Sequence, residues 1–208
     1  MERKISMRFF SVLLNSIPQI TQKQLNLGFI NQTVSKLSAC IRAAFFLSHG
    51  IRRDTILYIL VKDENYMLKL VGSELKYLGP DTRSITMLLM KAQIELKELN
   101  KKKSTLSKRG VYIYENITDS IETLKNINAS QVIFPSIKGK SIDEIVFGDS
   151  VNSVVPLEYP FPDFIENQLA NQGYNEVFFR DTYTIDNFIV MLHNHLDTLW
   201  GNDNNGDN

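Results

Sequence analysis

Cysteine is nearly absent from this 208-residue chain: Cys40 stands alone, so no internal disulfide can form and a reducing compartment is expected. No apolar run approaches the ~20 residues that a membrane-spanning helix needs. The basic N-terminus, Met1 to Ile20, lacks the apolar stretch and small-residue cleavage site of a secretory leader, which leaves the cytoplasm as the expected location. Neither common glycine-rich phosphate loop is present, which excludes the ordinary nucleotide-binding motifs. Also missing are a nucleophile elbow, a Cys-x-x-Cys pair and a zinc-protease helix. His193 and His195 sit two apart on an expected helix and face different directions, so no metal centre is expected.

What is present describes a folded protein with divided charge. The apolar fraction of 43% and aromatic fraction of 10% are those of a globular domain. The formal net charge is zero, yet residues 36–109 carry fifteen Lys/Arg against seven acids, and residues 110–208 carry four against fifteen. A division of this kind permits a basic face on a neutral protein. One domain is expected over 1–200, with a basic half at about 1–109, an acidic half at about 110–200 and a disordered Asn/Asp/Gly-rich tail at 201–208.

The pattern of elements predicts an α/β fold with a largely parallel sheet. Strands are expected at 8–14, 55–61, 66–71, 111–114, 131–134, 144–147 and 176–179. Helices are expected at 33–47, from Asp81 to about Asn100, and at 118–127, 161–172 and 184–199. Gly50 is placed as the C-cap of the first helix. Residues 15–32 read as turn-rich, and 100–110 as a basic, mobile segment. Cys40 falls on the buried face of its helix.

Candidate site residues gather between Phe45 and Ser84. Arg52 and Arg53 either help to hold a polyanion, or form a surface pair suited to a helix end. Asp54 either pairs with an arginine or assists deprotonation of a base. Ser73 and Glu74 either hydrogen-bond the base or shape a turn. Lys76 and Arg83 add to the basic charge, Asp81 is a helix cap, and His49 has a minor role.

The run Ala44-Phe45-Phe46-Leu47-Ser48-His49-Gly50-Ile51-Arg52-Arg53-Asp54, then Val71-Gly72-Ser73-Glu74-Leu75-Lys76 and Pro80-Asp81-Thr82-Arg83-Ser84, resembles the archaeal tRNA pseudouridine N1-methyltransferases (the TrmY family of the SPOUT superfamily). Looser likenesses are Ile145-Val146-Phe147-Gly148-Asp149 and the run from Ile189 to Asp197. The resemblance implies a SPOUT-type Rossmann-like parallel sheet with a C-terminal trefoil knot, a homodimer, and S-adenosylmethionine as cofactor. It implies tRNA as partner, with N1 of the T-loop pseudouridine at position 54 as the methyl acceptor. It places catalysis at Asp54, Arg52 and Glu74, and RNA contacts at Arg52, Arg53, Ser73, Lys76 and Arg83. The cofactor loops would be Phe134-Pro135, Gly148-Asp149, and Phe179-Arg180-Asp181-Thr182-Tyr183 leading to Phe188. Here the chain departs from the family, with no proline in that last loop and Phe188 where the family has cysteine. An RNA-binding paralogue without cofactor, or an enzyme acting on rRNA, are the alternatives.

Overall fold

The computed structural model describes residues 6–202 except 49, 77, 103–106, 109, 116–119 and 181–182. The tail beyond residue 202 and the position of His49 lie outside the described residues, as do 103–106 and 109 of the segment expected to be mobile, in which 100–102 are helical and 107–108 extended. The elements run β1 (Met7–Leu14), α1 (Gln22–Asn26), α2 (Gln32–Phe45), β2 (Phe46–Leu47), β3 (Gly50–Ile51), β4 (Thr55–Val61) and β5 (Tyr66–Val71). They continue as α3 (Thr82–Lys102), β6 (Ser107–Lys108), β7 (Val111–Glu115), α4 (Ser120–Lys125), β8 (Gln131–Ser136), β9 (Ser150–Pro156), α5 (Asp163–Asn171), β10 (Asn175–Phe178) and α6 (Ile185–Asn202).

Eight strands form one sheet in the order β10-β8-β9-β1-β4-β5-β7-β6. From β10 to β4 the pairing is parallel throughout, and β5, β7 and β6 extend it as an antiparallel ribbon. The hairpin at Lys62–Asn65 explains the switch, because a four-residue turn can only return a strand antiparallel. One face of the sheet carries a core that includes Leu37, Ile41 and Phe45 of α2, Ile85 and Leu89 of α3, and Phe188, Leu192 and Leu196 of α6. The other face packs Phe9, Phe134 and Val154 against Leu124 and Leu169. Burying each such side chain is worth roughly 1.5–3 kcal/mol, so α6 is held mainly by its apolar stripe.

Local chemistry sets the helix ends. Asn31 accepts a hydrogen bond from Thr33 N at 2.8 Å and starts α2. Asp81 accepts one from Ser84 N at 2.9 Å and starts α3 as expected. Thr21 and Gln24 form a capping box that makes the turn-rich 15–32 segment partly helical, with α1 at its centre.

Two expectations are corrected. Gly50 is not the C-cap of α2: the chain leaves the helix at extended Phe46 and forms the β2–β3 hairpin, in which Gly50 pairs with Leu47. Residues 144–147 are not a strand. Ile142–Glu144 is a turn of 3-10 helix, Val146 is exposed, and Phe147 packs beside His195 with ring centroids 5.4 Å apart. The strand is β9 instead, whose Asn152 and Ser153 are fully buried, with Ser11 donating to Asn152 Oδ1 at 2.9 Å.

Candidate active site

The N-terminal edge of the parallel strands carries an ion network rather than an open cationic site. Arg8 opens β1 and is almost fully buried. Its Nη2 lies 2.6 Å from Asp197 Oδ1, and its Nε faces Asp54 Oδ2 at 3.4 Å. Arg52 forks onto the same Asp197, with Nη1 at 3.0 Å from Oδ1 and Nη2 at 2.6 Å from Oδ2. His193 Nε2 lies 3.1 Å from the Ala44 carbonyl, which can only accept, so Nε2 carries the proton. Its Nδ1 then accepts from Arg8 Nη1 at 3.2 Å. Burial, then Arg52 and Arg8, push the His193 pKa down to about 3, so this imidazole is neutral. Burial works to raise the Asp197 pKa, but the Arg52 hydrogen bond and the Arg8 charge outweigh it and hold the carboxylate below its usual range. His193 is thus buried, whereas His195 is half-buried and sits 3.4 Å from Asp143.

The neighbouring turn is built around Arg53. Its Nη1 donates to the carbonyls of Gly72, Ser73 and Leu75 at 3.1, 3.2 and 3.3 Å. Glu74 accepts a hydrogen bond from Tyr112 Oη. Arg83 donates to the Leu25 carbonyl at 3.1 Å, tying α3 to α1. Arg53, Ser73, Lys76 and Arg83 nevertheless remain exposed, whereas Arg52 and Asp54 are half-buried within the network.

The loops expected to hold the cofactor separate into two places. Gly148 and Asp149 lead into β9, where the Asp149 carbonyl accepts from Met7 N at 3.0 Å, so they stand on the N-terminal edge with Arg8. The loops after β8, β9 and β10 leave the opposite edge, a strand length of roughly 20 Å away. Ligands of open α/β sheets bind at that C-terminal edge. Phe134 is a core residue packed edge-on to Phe161, with ring centroids 6.3 Å apart, and Pro135 pairs in register with Val177. Phe188 is fully buried against Phe179, with ring centroids 5.1 Å apart. Arg180 and Tyr183 are exposed, and Asp181 and Thr182 lie outside the described residues.

Two clefts open on this C-terminal edge. One, of about 320 Å³, runs from Ser35 and Lys36 on α2 past Leu157, Glu158 and Tyr159 to Tyr183, Thr184 and Asp186. The other, of about 370 Å³, is lined by Leu14, Asn15, Ser16, Thr33, Lys62, Leu157 and Glu158 among others. Tyr159 donates to the Phe179 carbonyl at 3.0 Å, closing the wall between the loops. Sequence reading missed Pro156–Tyr159 because it took 144–147 as the strand. The available signal was the acidic, proline-bounded corner that follows Val154 and Val155. Carboxylates at 158 and 186 beside two tyrosine rings suit a cationic, ribose-bearing and aromatic ligand.

The profile of a protein family described as "Putative SAM-dependent RNA methyltransferase" matches residues 7–200. A tRNA (pseudouridine(54)-N(1))-methyltransferase of Methanococcus maripaludis strain C6 is 30% identical in an alignment 196 positions long, with 86% of this chain and 94% of that protein covered. A protein of the same name from Methanocaldococcus jannaschii is 32% identical over 148 residues, covering 64% and 72%. The crystal structure of Archaeoglobus fulgidus Nep1 bound to S-adenosylhomocysteine is similar in fold, with a TM-score of 0.60 at 14% identity over 94% of this chain and 99% of that one.

Proposed function

The chain belongs to this family of S-adenosylmethionine-dependent RNA methyltransferases, and we propose that it methylates N1 of pseudouridine 54 in tRNA. The observation that carries the assignment to a site is the meeting of two clefts at Leu157–Glu158, on the ligand-binding edge of a parallel sheet. S-adenosylmethionine supplies an activated methyl on a sulfonium. The chain's own residues have the groups to hold it: Glu158 and Asp186 to face positive charge and accept from ribose hydroxyls, Tyr159 and Tyr183 for an adenine face, and backbone groups of the loops after β8, β9 and β10. Catalysis then consists chiefly of orienting N1 against the methyl and removing its proton.

In this reading Arg53, Ser73, Lys76 and Arg83 contact RNA on the N-terminal edge, while Arg52 and Asp54 serve the scaffold through Arg8 and Asp197. Glu74 shapes its turn with Tyr112. A homodimer is proposed as well, since a second copy would bring its basic edge toward the first copy's clefts, which one chain holds far apart. A trefoil knot in the C-terminal half is supported by the crossing order β10-β8-β9 and by α6 returning to pack against α2. A cytoplasmic location is part of the same proposal, and action on tRNA supports it.

The direct test is incubation with S-adenosylmethionine and a tRNA carrying pseudouridine 54, read by nucleoside mass spectrometry. N1-methylpseudouridine is the expected product. Methylation of rRNA fragments alone would overturn the tRNA assignment, and no calorimetric binding of S-adenosylhomocysteine would overturn the enzyme.

A further inference from the structure

Leu157 and Glu158 are the two residues common to both clefts, and Leu157 is buried, so Glu158 is the ionisable group that both clefts share. Lys36 Nζ donates to Glu158 Oε2 at 2.5 Å. It is the one hydrogen-bond partner recorded for Glu158 among the described residues, which leaves Oε1 available as an acceptor. Two clefts that share a carboxylate suit a reaction between two bound molecules, one on each side of it.

The chemistry of the target base says what that carboxylate would do. Pseudouridine and uridine differ only in their glycosidic attachment: pseudouridine presents N1–H where uridine presents C5–H. A carboxylate facing this position gains a charge-assisted hydrogen bond from N1–H. Facing C5–H it is left without one, and such an acceptor discriminates strongly against the analogue that lacks the donor. Resting on the pseudouridine reading above, we propose that Glu158 recognises the target base through N1–H and then takes the N1 proton, with Lys36 fixing the carboxylate. The N1–H bond breaks, its electron pair stays on nitrogen, and the proton forms an O–H bond at Oε1. N1 bonds to the sulfonium methyl as the S–C bond breaks and its pair passes to sulfur. Within one chain Asp54 and Glu74 lie on the opposite edge, and each already has a partner there, Asp54 in Arg8 and Glu74 in Tyr112.

The test uses the full chain, saturating S-adenosylhomocysteine, and two T-loop hairpins that differ only in pseudouridine or uridine at the target position. Wild type should bind the pseudouridine hairpin about tenfold tighter or more, the range that a hydrogen bond to a charged group supplies. Glu158→Ala should bring the ratio within about twofold, read at an S-adenosylhomocysteine concentration that saturates the variant. Glu158→Gln should keep part of the preference and lose methyl transfer by about a hundredfold or more. An exposed Lys–Glu pair contributes little to folding, so both variants should fold. Retention of the pseudouridine preference by Glu158→Ala, or of the wild-type rate by Glu158→Gln, overturns the proposal. A wild-type chain that methylates neither hairpin nor tRNA refutes the function reading and this proposal with it.

Discussion

Replacing Arg52 with Met separates two roles that the sequence leaves open. If Arg52 is the scaffold residue that its geometry describes, the variant loses both arms of its fork onto Asp197. Each hydrogen bond between charged groups contributes ~1.5–3 kcal/mol when well shielded. Here the Arg52 side chain is 11% exposed but Asp197 is 43% exposed, so solvent screens the pair and water can replace part of it. Asp197 also keeps Arg8 at 2.6 Å, and Met preserves most of the aliphatic packing. A loss of about 2 kcal/mol is therefore expected, with a fall in Tm of roughly 4–8 °C for a chain of this size. Urea denaturation at pH 7 measures the first quantity and calorimetry the second. The same variant should bind tRNA with an unchanged salt slope, whereas a lost phosphate contact lowers the slope by about 1. Unaltered stability with a reduced salt slope would refute the scaffold role. The paired variant Arg53→Met provides the contrast, because its exposed guanidinium should reduce the slope.

Acidification should destabilise the fold in the window below pH 6.5. The folded-state pKa of His193 is depressed from 6.5 to about 3, so its contribution is present above 6.5 and is lost as pH falls toward 3, at up to about 1.4 kcal/mol per pH unit. Asp197 acts in the same direction at lower pH, since its pKa is lowered from 3.8 and its stabilisation disappears as it protonates. In His193→Gln, denaturation midpoints should vary less between pH 6.5 and 4 than in wild type; an equal slope would remove His193 from the cause. Gly72→Ala should destabilise by more than about 3 kcal/mol, because its Cβ would stand 2.0 Å from the Arg52 carbonyl oxygen and 2.9 Å from that of Thr55. Near-native thermal stability would show that this turn yields easily. Gly148→Ala meets only the Ser130 side chain, with Oγ at 2.8 Å, and should leave S-adenosylhomocysteine affinity unchanged by calorimetry. A large loss of affinity would return the cofactor to the N-terminal edge.

Much of the scaffold was legible because its residues follow one rule at a time. Thr55–Val61 is β-branched and apolar throughout, and Asp81 sits before a helix-period run, so β4 and the start of α3 read directly. β9 was not legible, because Asn152 and Ser153 interrupt its apolar pattern, and the partner of Asn152 Oδ1 is Ser11, distant in sequence. The paired arginines illustrate a different limit. Nothing near position 52 indicates that its counterion is 145 residues away on α6. A charged motif beside strands therefore read as a binding surface when part of it is an internal tie.

That tie changes what the resemblance around residues 44–54 can establish. Arg52 and Asp54 join Arg8 at the start of β1 to Asp197 and His193 on α6, while Arg53 holds the turn after β5. Removing one member leaves a neighbouring charge poorly compensated, so most substitutions in the set are costly for folding alone. A shared Arg-Arg-Asp sequence is accordingly a strong marker of this fold and a weaker marker of the chemistry performed on it. The residues that discriminate between an active enzyme and an RNA-binding relative should instead lie where two clefts meet, and in this chain that corner is Leu157–Glu158 with Lys36 behind it. A chain that kept the network but lost Glu158 would be expected to fold, bind RNA through Arg53, Lys76 and Arg83, and fail to tell pseudouridine from uridine.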